Sequence, residues 1–277
     1  MFSLNLNGRP VEFLQPAIMA IINATPDSFY SASRAETADE VSRRAEQALT
    51  EGADIIDIGG YSSRPGAAEI APWEEERRMV YAVKAVRRVS RDVPVSVDTF
   101  RAQVAEAALA EGADIVNDIS GGMLDPAMDS LIARRNTPYI IMHMRGTPAT
   151  MSELTDYSAE GNVTASVMRF LAQRIADLSS LGVNQVIIDP GFGFAKTTEQ
   201  NWDLMRELPL IRETFPQPML VGISRKSMLY KPLGKTADDV LAATCYANTI
   251  ALQAGADILR VHDVDAARQM VRLFSDF

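Results

Sequence analysis

Eight short apolar runs recur along the chain, each followed by an amphipathic stretch long enough for a helix. Nearly every run ends on a residue able to do chemistry: Asn23, Asp57, Asp98, Asn117, His143, Asp189, Ser224 with Lys226, and Arg260 with His262. A continuous apolar run is how a parallel strand buried on both faces reads. Its alternation with helices predicts βα units around one parallel sheet. Ligands of such sheets gather at the carboxyl ends of the strands, so the chain is expected to carry a polar site above an apolar barrel.

Strands are predicted at Ala17 to Asn23, Ala53 to Gly60, Val93 to Thr99, Ala113 to Gly121, Pro138 to Met144, Gln185 to Gly191, Pro218 to Ser224 and Ala256 to Asp263. Helices are predicted at Thr37 to Glu51, Pro72 to Arg91, Arg101 to Glu111, Pro126 to Arg135, Gly161 to Leu181, Glu199 to Arg212 and Ala237 to Ala254, with a last one ending near Phe274. Glu51-Gly52-Ala53-Asp54, Glu111-Gly112-Ala113-Asp114 and Ala254-Gly255-Ala256-Asp257 each stand where a helix hands over to a strand. A glycine there can take the left-handed conformation without a Cβ penalty. Asn7-Gly8 between alternating residues is a hairpin signal, and that hairpin is expected to plug the bottom of the barrel. No linker composition divides the chain, so residues 1–277 read as one domain.

Composition narrows the function. A single cysteine forbids an internal disulfide, and no N-terminal apolar run resembles a signal peptide, so a cytoplasmic location is expected. No uninterrupted apolar stretch approaches the ~18 residues of a membrane span. A net charge of -9 argues against nucleic acid, which needs a clustered basic face. The loops Thr25 to Glu36 and Tyr61 to Ile70 are rich in Ser, Gly, Pro and Arg, as mobile catalytic loops are.

Asp98 and Asn117 end consecutive runs, and Asp189 ends the sixth. Singly, each is as often a structural anchor. Together, and with no charged partner evident, they call for a ligand with several donors, because an unpaired buried charge is too costly to keep. A planar heterocycle with an amino group and ring N–H groups fits, each charge-assisted bond contributing on the order of 1.5–3 kcal/mol. Arg64, Lys226, Arg260 and His262 suit a phosphate, which this kind of barrel commonly holds near the last strands. No Walker loop and no Gly-x-Gly-x-x-Gly opens a helix, so no nucleotide cofactor is indicated. Gly191-Phe192-Gly193-Phe194 is expected to let backbone approach a flat ligand.

A resemblance then becomes visible. Asn23-Ala24-Thr25-Pro26-Asp27-Ser28-Phe29, Ser62-Ser63-Arg64-Pro65-Gly66, Ser96-Val97-Asp98-Thr99, Asn117-Asp118-Ile119-Ser120-Gly121, Met142-His143-Met144-Arg145-Gly146, Asp189-Pro190-Gly191-Phe192-Gly193-Phe194, Ser224-Arg225-Lys226-Ser227 and Arg260-Val261-His262-Asp263 together resemble the dihydropteroate synthase family. They run in family order over nearly the whole chain. The resemblance implies an α/β fold, a (β/α)8 TIM barrel, in a homodimeric enzyme. Such an enzyme joins 6-hydroxymethyl-7,8-dihydropterin diphosphate to 4-aminobenzoate in folate synthesis and is inhibited by sulfonamides. It further implies a pterin site of Asp98, Asn117, Ile119, Met142, Asp189, Gly222, Lys226 and Arg260. Arg64, Arg260 and His262 would hold the diphosphate, with Asn23 acting through Mg2+. Phe29, Ser63, Pro65, Phe194 and Ser224 would hold the aminobenzoate. Asn23, Asp27, Arg64, Lys226, Arg260 and His262 form the implied catalytic set, without a covalent enzyme intermediate.

The chain departs from the family pattern at Ser31, where an acid is usual, at Tyr61-Ser62-Ser63, and at Ala195, where a glycine commonly precedes the lysine. A pterin-dependent methyltransferase and a catalytically impaired pterin-binding paralogue are the alternative readings. A Schiff-base aldolase on Lys226 is a third.

Overall fold

The computed structural model describes residues 1–24, 34–60 and 70–276. The expectations at Asp27, Phe29, Ser31, Ser63, Arg64 and Pro65 lie outside those residues. The apolar runs form eight parallel strands: β3 (Ala17–Asn23), β4 (Ile55–Gly59), β5 (Val95–Asp98), β6 (Ile115–Asp118), β7 (Tyr139–Met142), β8 (Val186–Asp189), β9 (Leu220–Val221) and β10 (Ile258–Val261). Their order is β8-β7-β6-β5-β4-β3-β10-β9, with every pairing parallel. A bridge between Ile188 and Met219 brings β8 against the segment entering β9, and the Ile188 amide donates to the Pro218 carbonyl at 2.9 Å. The ring is thus the expected (β/α)8 barrel, nearly closed. The seam is thin because Pro218 has no N–H for a ladder and β9 is two residues long.

Helices α1 (Arg34–Thr50), α2 (Pro72–Val89), α3 (Ala102–Ala110), α4 (Ala127–Arg135), α5 (Val163–Ser180), α6 (Thr198–Arg206), α7 (Leu208–Thr214), α8 (Ser227–Tyr230), α9 (Leu241–Gln253) and α10 (Val264–Asp276) complete the chain. Two expected helices differ. Glu199 to Arg212 is broken into α6 and α7, because Pro209 lacks the N–H that a continuing helix would need. The stretch from Ala237 starts as a 3-10 turn over Ala237–Asp239, capped by Thr236, before α9 begins.

The hairpin of β1 (Phe2–Leu6) and β2 (Arg9–Phe13) turns through Asn7 and Gly8, both with positive φ, at 52° and 85°. Leu4, Leu6 and Phe13 pack onto Met19, Ile55, Ile115, Ile140, Ile187, Leu220 and Ile258, the lowest inward layer of the strands. The expected plug is therefore in place, and the other end of the barrel is left for chemistry.

The Gly-Ala-Asp repeats prove to be a built device. Gly52, Gly112 and Gly255 have φ of 97°, 100° and 90°. The aspartate that follows each one accepts the amide of a residue on the neighbouring strand segment: Ile18 to Asp54 at 2.8 Å, Val95 to Asp114 at 2.9 Å and Met219 to Asp257 at 2.9 Å. An arginine from the helix layer pairs with each, Arg268 to Asp54 at 2.6 Å, Arg87 to Asp114 at 2.5 Å and Arg212 to Asp257 at 3.1 Å. Asp114 also receives the Asn7 side-chain amide at 3.0 Å, tying the plug to the barrel. Replacing Asp114 with Ala leaves the Val95 amide without its acceptor and Arg87 without its carboxylate, the guanidinium keeping only backbone carbonyls. The expected loss is about 3 kcal/mol in urea unfolding, against less than ~0.5 kcal/mol for the exposed Asp92→Ala control.

Candidate active site

The pleat of a parallel strand sends alternate residues inward. Above the apolar layer, the inward positions are Asp57 on β4, Ser96 and Asp98 on β5, Asn117 on β6, Met142 on β7, Asp189 on β8 and Arg260 on β10, with Gly222 just past β9. Asn23 ends β3, and Ser224, Lys226 and His262 lie just beyond β9 and β10. The polar residues read from the strand ends thus share one mouth, except His143, which follows the inward Met142 and lies buried beneath the surface against Lys196.

The charged centre departs from expectation. Asp98 does have a charged partner in the protein: Arg260 Nη2 donates to its Oδ2 at 2.6 Å. The same arginine donates through Nε to Asp57 Oδ2 at 2.7 Å, and Asn117 Nδ2 donates to that oxygen at 3.3 Å. Burial pushes the Asp98 carboxyl up to about 7; the adjacent Arg260 opposes this, and Asp57, Glu75 and Asp118 add to it. Burial also raises Asp189, against the pull of Lys226 and the Gly191 amide, which donates to its Oδ1 at 2.7 Å. Lys226 is lowered by the same burial to about 8, with Asp189 opposing. Its Nζ donates to the Phe192 carbonyl and lies 4.7 Å from the centre of the Phe194 ring.

One wall is apolar. Ile119, Met142, Met144, Met151 and Ala195 form a cluster of their own, with Phe194, Phe100 and Leu124 against it. This brings three of the expected ligand-facing residues, Ile119, Met142 and Phe194, onto one surface beside Lys226. Past β9 and β10, the Ser224 hydroxyl is 3.0 Å from His262 Nδ1 and accepts the His262 backbone amide at 3.2 Å. The helix that follows Ser224, α8, is a single turn of four residues, too short to build an anion site.

Sequence reasoning missed the support beneath this surface. Lys196 is buried, and its Nζ donates to the carbonyls of Gly191 at 2.7 Å and Phe194 at 3.1 Å and sits 3.1 Å from His143 Nδ1. Burial lowers Lys196 to about 7, and burial with the nearby Lys196 charge lowers His143 to about 2. Both groups hold the turn after β8. Gly191 has φ 76°, and a Cβ there would stand 2.0 Å from the His143 carbonyl oxygen, so only glycine fits. Asp118 faces outward and accepts from the Tyr139 hydroxyl and from Ser120, each at 2.7 Å, and from the Gly122 amide at 2.9 Å, shaping the loop that carries Ile119. The signal for Lys196 was present in the Ala195-Lys196 departure. Ala195 takes φ 51°, the left-handed region, which is why a glycine is usual there.

The profile of the pterin binding enzyme family matches residues 19–262. The chain is 41% identical over 262 residues to the dihydropteroate synthase of Synechocystis sp., covering 92% of this chain and 88% of that one. It spans 48% and 55% of two bifunctional folate synthesis proteins of Arabidopsis thaliana that it also matches. Among solved structures, Xanthomonas albilineans dihydropteroate synthase with 4-aminobenzoic acid superposes with a TM-score of 0.90 at 34% identity, over 99% of this chain and 97% of that one. Yersinia pestis dihydropteroate synthase in a sulfonamide drug complex gives a TM-score of 0.90 at 32% identity, over 99% and 98%.

Ala195→Gly relieves the left-handed strain and gives up one buried methyl of the apolar cluster, while the backbone carbonyl that accepts from Tyr157 stays. The expected result is a gain of about 1 kcal/mol in stability, read by thermal unfolding, with the Lys196 contacts kept.

Proposed function

The chain belongs to the dihydropteroate synthase family, and from that premise we propose that it condenses 6-hydroxymethyl-7,8-dihydropterin diphosphate with 4-aminobenzoate. The products are 7,8-dihydropteroate and diphosphate, and the reaction serves folate synthesis. The observation that carries this reading is the convergence of Asp98, Asn117, Asp189 and Lys226 beside the Ile119 and Met142 wall. Carboxylates and an amide take the donor edge of a pterin, and the wall covers a ring face. Gly222, beside the Arg260 side chain, leaves room for the ring.

The chemistry asks little of the protein covalently. The bond from the pterin methylene carbon to the diphosphate oxygen breaks with its electron pair going to the diphosphate. The arylamine nitrogen supplies the pair for the new carbon–nitrogen bond and sheds one proton. Arg64, Arg260 and His262 stabilise the leaving group, Lys226 and the acids orient the pterin, and catalysis is positioning with electrostatic stabilisation. Phe194 and Ser224, with Phe29, Ser63 and Pro65, are the residues proposed to bind the aminobenzoate, and Asp27 is the acid proposed to shield the cation that forms.

Mg2+ is the proposed metal. Among the described residues no three His, Cys, Asp or Glu side chains are grouped to hold an ion. The half-buried Asn23 at the end of β3 offers one oxygen ligand. That donor set fits Mg2+, which keeps several waters and relies on substrate phosphates for the rest. When bound, the ion supplies neutralisation of diphosphate charge.

Sulfonamides are proposed to compete with aminobenzoate. A homodimer is the proposed assembly: Tyr246 on α9 and Leu273 and Phe274 on the adjacent α10 are exposed at 64%, 66% and 43%, an apolar set that a second copy would cover. No helix among the described residues is long and apolar enough to cross a membrane, and the free Cys245 is compatible with the proposed cytoplasmic location.

The test is diphosphate release with dihydropteroate followed by chromatography. Turnover requiring both aminobenzoate and Mg2+ is expected; pterin binding without product would sink the synthase reading. Asp98→Asn should weaken pterin binding by roughly tenfold or more, the scale of one charge-assisted bond, with its melting temperature held. The pH dependence has a definite sign. With Asp98 titrating at about 7 in the free protein, a ligand that needs the carboxylate binds more tightly as pH rises through that value and releases a proton below it. Calorimetry in buffers of different ionisation enthalpy reads that proton.

A further inference from the structure

Asp57 is an inward acid in the middle of β4 to which the reaction scheme gives no task. It is wholly buried on β4, in register with Ser96 and so one pleat beneath Asp98. Its Oδ2 accepts from Arg260 Nε at 2.7 Å and from Asn117 Nδ2 at 3.3 Å, and Arg260 Nη2 lies 2.6 Å away as an ion-pair contact. Its Oδ1 is buried with no hydrogen-bond partner among the described residues. Asp98, higher in the mouth, is met by Arg260 through Nη2 alone.

We infer that Asp57 is a positioning residue of the pterin site: it anchors the Arg260 guanidinium and turns the Asn117 amide, leaving Asp98 to accept from the pterin. The inference rests on the function proposed above. A buried guanidinium needs a carboxylate close by. If Asp98 were its sole counter-charge, the pterin ring taking the Asp98 oxygens would leave the part-buried Arg260 dependent on the diphosphate alone for neutralisation. Asp57 eases that competition, because it holds Arg260 Nε from below and keeps a carboxylate 2.6 Å from Nη2 whatever Asp98 binds. The same oxygen decides how Asn117 lies. With Nδ2 committed to Asp57, the amide presents Oδ1, an acceptor, to a ligand N–H.

The charges around Asp98 give this role a signature that mere packing lacks. Among the described residues Asp98 is faced by Arg260 from β10, Asp57 from β4, Glu75 from α2, Asp118 from β6 and Lys226 ahead of α8. The Asp57 charge pushes the Asp98 carboxyl up, and Arg260 pulls it down. Neutralising Asp57 therefore lowers Asp98 twice, once by removing a like charge and once by releasing Arg260 to Asp98 alone.

The experiment is calorimetric binding of 6-hydroxymethyl-7,8-dihydropterin diphosphate to the wild type, Asp57→Asn, Arg260→Met and the double variant, across pH. Asp57→Asn should bind roughly tenfold more weakly or worse, about 1.4 kcal/mol. The double variant should fall below Arg260→Met by clearly less than that factor. The pH midpoint of proton release should move down in Asp57→Asn. Losses that multiply in the double variant would make Asp57 a ligand contact in its own right, and an unmoved midpoint would leave it a packing residue; either overturns the inference. If Asp57→Asn alone does not fold, the double variant removes the ion pair as a unit, and its comparison with Arg260→Met carries the same decision. A wild type that binds no pterin overturns the functional reading itself, whereas normal binding by Asp57→Asn overturns only the role given to Asp57.

Discussion

The pleat of the parallel strands governs this molecule. Each strand of the ring must bury one set of side chains against the helices and the alternate set inside the barrel. On β4 this sends Ile55 down to the plug and Asp57 up into the mouth, with Ile56 and Ile58 in the outer core between them. On β8 it does the same with Ile187, Asp189 and Ile188. A shift of one residue on either strand would put a carboxylate among the helices and an isoleucine in the site. The active site and the hydrophobic core are therefore one pattern, and neither can change register without the other.

A barrel mouth built this way collects acids that must be neutralised without water. Asp57 and Asp98 share Arg260, and Asp189 is set against Lys226. Among the described residues these donors and acceptors hold one another in place within the protein itself. Preorganisation of this kind lets a protein stabilise a departing anion without reorganising at the moment of reaction. The apolar wall from Ile119 to Phe194 lowers the local dielectric and strengthens each of these contacts.

Much of the architecture was legible because its causes are local. Asn7-Gly8 names its own turn, and the Gly-Ala-Asp hand-overs name the helix ends. Pro209 breaks a helix for a reason also visible in the sequence, although the periodicity on either side concealed it. The role of the repeated aspartates was less accessible. The glycine explains the repeat well enough alone, and only the neighbouring strand reveals that Asp54, Asp114 and Asp257 each receive a backbone amide there.

The site divides along the same line. That Asp98, Asn117, Asp189 and Arg260 stand at strand ends follows from run length and phase, which a few adjacent residues determine. Their pairing does not. Arg260 meets Asp98 across 162 positions and Asp57 across 203, and Lys196 meets His143 across 53. Among several acids that all point inward, closure of the ring decides which one lies within 3 Å of a given cation. The sequence by itself determined the barrel, its polar face and most of the described residues at the strand ends. The tertiary structure alone decided how their charges are partnered, because an ion pair depends on ångström distances between strands that the chain order leaves open.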